Sequence, residues 1–280
     1  MLKIQYSSIK GIAKVISKNK FYHILRLKDG SIAKVFTQAF LRLDRKNNCQ
    51  TERKIIESEN IHIPGIATPT GIIYKKGEFC GYTMNEGLGE ISHEKSDSLP
   101  QLGLKQSALI IKKLEEIIEE AHKQGLVFPN ILETIEQILN KKIDFFSIEE
   151  MQYKDMPAPF CSTYLGDLTF LTDTKYMQTD NNLFTPEIDR LSMLILYLIF
   201  TCNIDLMKKV NEYNKNWDIR ETITEIILEL GLESSPLAMK LYNLFRDSEA
   251  NQPIGEDLMK IAEKYQLVRF RDNKKFIRKR

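Results

Sequence analysis

The chain has 280 residues, with 40 Lys and Arg against 38 Asp and Glu, a formal net charge of +2. Charge this evenly balanced argues against a dedicated nucleic-acid binder. A hydrophobic content of 42% is that of an ordinary globular protein, long enough for one large domain or two lobes. Cys49, Cys80, Cys161 and Cys202 are scattered, without C-x-x-C or metal spacing, and read as reduced thiols of a cytoplasmic protein. Met1-Leu2-Lys3-Ile4-Gln5-Tyr6 lacks the apolar run of a signal peptide.

The first third reads as strands. Phe21-Tyr22-His23-Ile24-Leu25-Arg26-Leu27 runs into Lys28-Asp29-Gly30, a hairpin turn signal, and Ser31-Ile32-Ala33-Lys34-Val35-Phe36 returns as its partner. Lys34, between apolar neighbours, reads by itself as a strand lysine facing solvent. Residues 40–59 have a charged helical pattern that contains Glu52 and Glu57, and His62-Ile63-Pro64-Gly65 breaks it. Strands over 71–74 and 79–84 follow, joined by the turn Lys75-Lys76-Gly77-Glu78.

Polar residues 92–100 read as a loop, and 103–124 as an amphipathic helix ended by Gly125. Its stripe is Leu104, Ala108, Ile111, Leu114, Ile117, Ile118 and Ala121, with Lys112, Lys113, Glu115 and Glu116 outside. Two prolines in Met156-Pro157-Ala158-Pro159 suggest an extended stretch. Pro186-Glu187-Ile188-Asp189-Arg190-Leu191-Ser192 then opens an apolar run to Thr201. Leu191, Leu194, Ile195 and Leu198 share one face, and Met193, Leu196, Tyr197, Ile199 and Phe200 fill the others. Such a helix is buried all round, and it is shorter than the roughly 20 residues a bilayer needs. Asp189, in its first turn, is placed to hold backbone N–H groups. Helical patterns over 218–230, 236–245 and 254–265 follow. The end is basic, with Arg269, Arg271, Lys274, Lys275, Arg278, Lys279 and Arg280 reading as a solvated tail and, as the alternative, a surface for a partner, membrane or nucleic acid.

In this order the elements resemble a divergent bacterial protein-kinase domain over residues 20–265. Ile32-Ala33-Lys34-Val35 is similar to the V-A-I-K strand, whose lysine pairs with ATP phosphates. The resemblance makes Glu52 the ion-pair partner of Lys34, with Glu57 as runner-up. It puts Met84 at the gatekeeper position and Asn85-Glu86-Gly87 at a hinge that meets an adenine edge. Pro-Glu-x-Asp-x-x-Ser resembles the start of the large buried helix of the C-terminal lobe. The implied fold is α+β and two-lobed. A small antiparallel sheet with one main helix at 40–59 forms an N-lobe over 1–84, followed by a hinge at 85–90, an α-helical C-lobe over 91–268 and a basic tail over 269–280.

The chain departs from that family at the places where chemistry is done. Phe128-Pro129-Asn130 stands where His-Arg-Asp is expected, or else Asn130 is the metal-binding Asn and most of the catalytic loop is deleted. Both alignments remove the carboxylate base, and an amide cannot replace it near neutral pH. Asp144-Phe145-Phe146 stands for Asp-Phe-Gly, and Gly11 alone remains of the glycine-rich loop. Gln252-Pro253 replaces Arg-Pro, so the ion pair that arginine makes in the family is expected to be lost.

The resemblance implies ATP and Mg2+ as cofactors. Lys34, Glu52, Met84, Glu86 and Asp144 would lie around the nucleotide, with Asp144 and Asn130 as metal ligands. The expectation is a pseudokinase that regulates or scaffolds a protein partner. An active protein phosphotransferase with a non-standard catalytic loop is the alternative, and a purely structural protein with relic residues is the third reading.

Overall fold

The computed structural model describes residues 1–84, 102–129, 131, 146–159, 177–178, 183–202 and 254–264. Strands β1 (Leu2–Gln5), β2 (Lys14–Lys18), β3 (Tyr22–Arg26) and β4 (Ile32–Phe36) precede β5 (Ile66–Ala67), β6 (Pro69–Lys75) and β7 (Glu78–Met84). All but β5 form one six-stranded sheet, ordered β1-β6-β7-β4-β3-β2. Both expected hairpins are present. Gly30 (φ 87°) turns β3 into β4, while Lys76 (φ 54°) and Gly77 (φ 85°) supply the two left-handed residues of a tight β6–β7 turn.

The sheet is mixed, whereas an antiparallel one is expected from the sequence. β1 pairs parallel to β6, Leu2 opposite Gly71 through Gln5 opposite Tyr74. β7 also carries an extra residue, since Ile73 faces Gly81 while the adjacent Tyr74 faces Phe79. That bulge breaks the period-two alternation, so Phe79 and Tyr82 pack against the same core cluster. Gly81 is required at this site, because a Cβ there would lie 2.2 Å from the carbonyl oxygen of Lys34.

Every residue of β4 is buried. Ile32 and Phe36 join Ile24, Phe40, Ile55, Ile72, Tyr82 and Met84 on one face, while Ala33 and Val35 join Ile9, Leu25, Ile73 and Cys80 on the other. Lys34 shares the parity of Ile32 and Phe36, so its side chain enters the protein and does not face solvent. Helix α1 (Tyr6–Lys10) brings Ile9 to the second face; α2 (Gln38–Lys46) and α3 (Thr51–Glu57) cover the first.

The single helix expected over 40–59 is therefore two. Asn48 and Gln50, both at φ 51°, break it. The carboxylate of Asp44 then accepts the Thr51 N–H at 3.1 Å and its hydroxyl at 2.5 Å, which fixes the rotation of α3. Thr51, Lys54 and Ile55 turn inward, with Ser58 next on the same side.

The helical part begins with α4 (Leu104–Lys123), followed by Gly125 in the left-handed region at φ 79°. Of its apolar stripe only Ile117 is left partly exposed, but Glu115, expected outside, is buried. α4 packs on α5 (Glu187–Cys202) and α6 (Gly255–Lys264). In α5, Ile188, Met193, Leu196, Tyr197 and Phe200 are core residues. The buried Glu115 carboxylate accepts the N–H groups of Ile254 and Gly255 at 2.5 and 2.8 Å, capping α6 from another helix. No helix among the described residues is long and apolar enough to cross a membrane. The helical patterns over 218–230 and 236–245, Gln252-Pro253 and the tail over 269–280 lie outside the described residues.

Candidate functional site

One segment joins the sheet to the helices. β9 (Phe146–Ser147) pairs parallel with β5, a helical turn follows at Ile148–Glu150, and β10 (Gln152–Tyr153) pairs antiparallel with β8 (Leu126–Val127) directly after α4. The Gln152 side-chain amide accepts the Phe184 N–H at 2.7 Å and donates to its carbonyl at 2.8 Å. This ties the segment to the strand Leu183–Phe184 ahead of α5.

The turn at Ile148–Glu150 aims two carboxylates at Lys34. Lys34 is 3% exposed, and its ammonium is in contact with Glu149 Oε1, which is wholly buried. Glu150 Oε1 lies 2.9 Å from it, on a side chain 25% exposed. Ser147 Oγ is 3.4 Å away, and the ring of Tyr22 covers the cation with its centroid at 3.9 Å. The remaining oxygen of Glu149 accepts the Tyr82 hydroxyl at 2.5 Å. Burial opposes the charge of Lys34, yet the two carboxylates outweigh it and hold the lysine well above its usual pKa. Burial, reinforced by Glu149, pushes the Tyr82 phenol well up, so it stays a donor.

Glu52 is not the partner of Lys34. The break between α2 and α3 turns it outward, where its carboxylate accepts the Tyr74 hydroxyl at 2.7 Å. It lines an outer groove of about 750 Å³ with Leu41, Arg53, Ile56, Tyr74 and Phe79. The runner-up Glu57 pairs with Arg53 at 2.6 Å and Lys154 at 3.3 Å. The inward position belongs to Lys54, whose ammonium donates to the carbonyls of Met151 and Pro157 at 2.6 and 2.8 Å. Burial lowers it to about 8. Met84 is buried at the end of β7, opposite Ile32. Asn85-Glu86-Gly87, Asn130 and Asp144 lie outside the described residues.

Asp189 sits, buried, in the first turn of α5. Its two oxygens lie 2.9 and 3.0 Å from the Phe128 nitrogen, whose N–H they accept, and His122 Nε2 is 2.7 Å from Oδ2. The expected hold on backbone N–H groups is thus exerted on a residue 61 positions earlier. Nothing in the sequence reading assigned work to His122, Glu149 or Glu150.

This arrangement neutralises a cation. Lys34 carries one positive charge against two carboxylates, of which Glu149 is wholly buried and Glu150 partly exposed. Magnesium does not fit these two carboxylates while Lys34 is between them, since a dication would face the ammonium at close range. Among the described residues no three His, Cys, Asp or Glu side chains gather as a metal site. No protein-family model matches the chain, and no curated protein matches it.

Proposed function

We propose that this chain is a protein-kinase-like module that does not transfer phosphate and works by presenting a surface to a protein partner. The observation that carries the reading is the enclosure of Lys34 by Glu149, Glu150 and Tyr22. In the fold the chain resembles, the lysine of this strand serves the nucleotide phosphates. Here its charge is already spent within the protein. The order of elements supports the likeness: a lysine strand, helices over one sheet face, an amphipathic helix, then a buried helix whose first-turn Asp anchors the chain after β8. On this reading the sheet with α2 and α3 is the small lobe, residues 85–90 are the hinge, and α4, α5 and α6 belong to the large lobe.

The resting protein is then free of nucleotide, and ATP with Mg2+ is a ligand only if the carboxylate grip on Lys34 is loosened. An active phosphotransferase needs the same release. The test is a thermal-shift titration with ATP, with and without magnesium, on the wild type and Asp144→Asn. A ligand at 100 times its dissociation constant stabilises a fold by about 2.7 kcal/mol, a visible shift. The expected result is no shift at millimolar ATP. A magnesium-dependent shift lost in Asp144→Asn, together with phosphate transfer to a protein, would overturn the reading.

A further inference from the structure

We propose that Glu150 is a built-in competitor for phosphoryl ligands, and that the site beside Lys34 accepts a triphosphate once this one carboxylate is displaced. The inference rests on the proposed function, in that it takes Lys34 to mark a vestigial nucleotide site.

The two carboxylates on Lys34 are not equivalent. Glu149 is wholly buried, and both its oxygens are engaged, one by Lys34 and one by the Tyr82 hydroxyl. Removing it from Lys34 would leave a carboxylate and a phenol without counterparts inside the protein, which is costly. Glu150 stands at the solvent side of the cluster, and Lys34 is its one described partner. Rotated away, its carboxylate returns to water at little cost. The ammonium has three protons to donate, so a phosphoryl oxygen arriving from solvent at the Glu150 position finds a donor already aimed at it. With Glu150 in place the cluster is net negative, and a triphosphate is repelled at the moment of approach. Tyr22 covers another side of the cation, and of the two carboxylates Glu150 is the one that reaches solvent.

The probe is calorimetric titration of ATP and of inorganic tripolyphosphate into the wild type, Glu150→Gln, Glu150→Ala and Lys34→Met/Glu150→Gln. Melting curves on each variant check the fold, and two substitutions at the partly exposed Glu150 guard against one failing to fold. Both single variants are expected to bind tripolyphosphate at least about tenfold more tightly than the wild type, the scale of one charge-assisted hydrogen bond released for the ligand. The double variant is expected to lose that gain. A further gain for ATP over tripolyphosphate would add recognition of the base to that of the phosphates.

Folded single variants that bind no more tightly than the wild type would overturn the competitor role. So would a gain that persists without Lys34. Phosphotransfer measured on the same samples separates the two claims. Tighter binding with transfer sinks the non-catalytic reading and keeps Glu150 as the gate; unchanged binding without transfer does the reverse.

Discussion

The ammonium of Lys54 donates to the carbonyl oxygen of Pro157 at 2.8 Å, joining α3 to a residue 103 positions further along the chain. Lys34 grips the same segment seven to ten residues earlier through Ser147, Glu149 and Glu150. Two buried lysines thus hold one strand of chain, one through carboxylates and the other through backbone carbonyls.

The two lysines give opposite pH dependence. Lys54 is lowered to about 8 by burial, below its unfolded value of 10.5, so between those values the unfolded chain binds the extra proton. Its contribution therefore makes stability rise with pH across that window. Lys34, raised by Glu149 and Glu150, contributes stability that is complete below 10.5 and is lost only as pH climbs towards its higher folded value. Denaturant titrations from pH 7 to 10.5 are expected to show Lys54→Met losing the rise that the wild type keeps. Parallel curves would contradict this assignment.

Lys34→Met leaves Glu149 buried with no cation. Breaking a buried pair this way costs about 3–5 kcal/mol, whereas removing both charges is far milder. Lys34→Met is expected to lose that amount in urea unfolding, and Lys34→Met/Glu149→Gln to recover much of it. Equal losses in the two would mean that the pair is uncoupled.

Asp189→Ala removes the acceptor of the Phe128 N–H and the partner of His122. The expected loss is about 1–3 kcal/mol. Hydrogen exchange should show the Phe128 amide losing protection first, ahead of the α4 amides.

Gly255→Ala would set a Cβ 2.8 Å from the Cα of Lys112 and 2.7 Å from Glu115 Oε2. Overpacking of this kind costs about 1–3 kcal/mol. A lowered melting temperature is the expected readout, with Gly11→Ala, at φ −91° and with nothing within 4 Å, as the control that does not lower it.

The sequence reveals what is periodic and local. The β3–β4 hairpin announces itself through Lys28-Asp29-Gly30, α4 through its stripe, and α5 through an apolar run behind Asp189. The outward turn of Glu52 is not legible in the sequence, because the rotation of α3 depends on Asn48 and Gln50, whose left-handed backbone no pattern discloses. The true partners of Lys34 lie 115 and 116 positions away in a single turn, with no period to mark them. A signal for Lys54 was present, since Thr51, Lys54, Ile55 and Ser58 have the spacing of one buried helix face. The charge on Lys54 obscured it.

Synthesis proceeds from the N-terminus, and here the order of emergence has a cost. When residues 1–84 have left the ribosome, every strand of the six-stranded sheet is present, yet Lys34 and Lys54 have nothing to receive their charges. A core cannot close over two unpaired ammonium groups. The nascent sheet must stay open, or hold those lysines in water, until residues 147–157 arrive. The first third of the chain therefore reaches its final packing only after synthesis has passed the midpoint, which leaves its apolar strands in need of protection meanwhile.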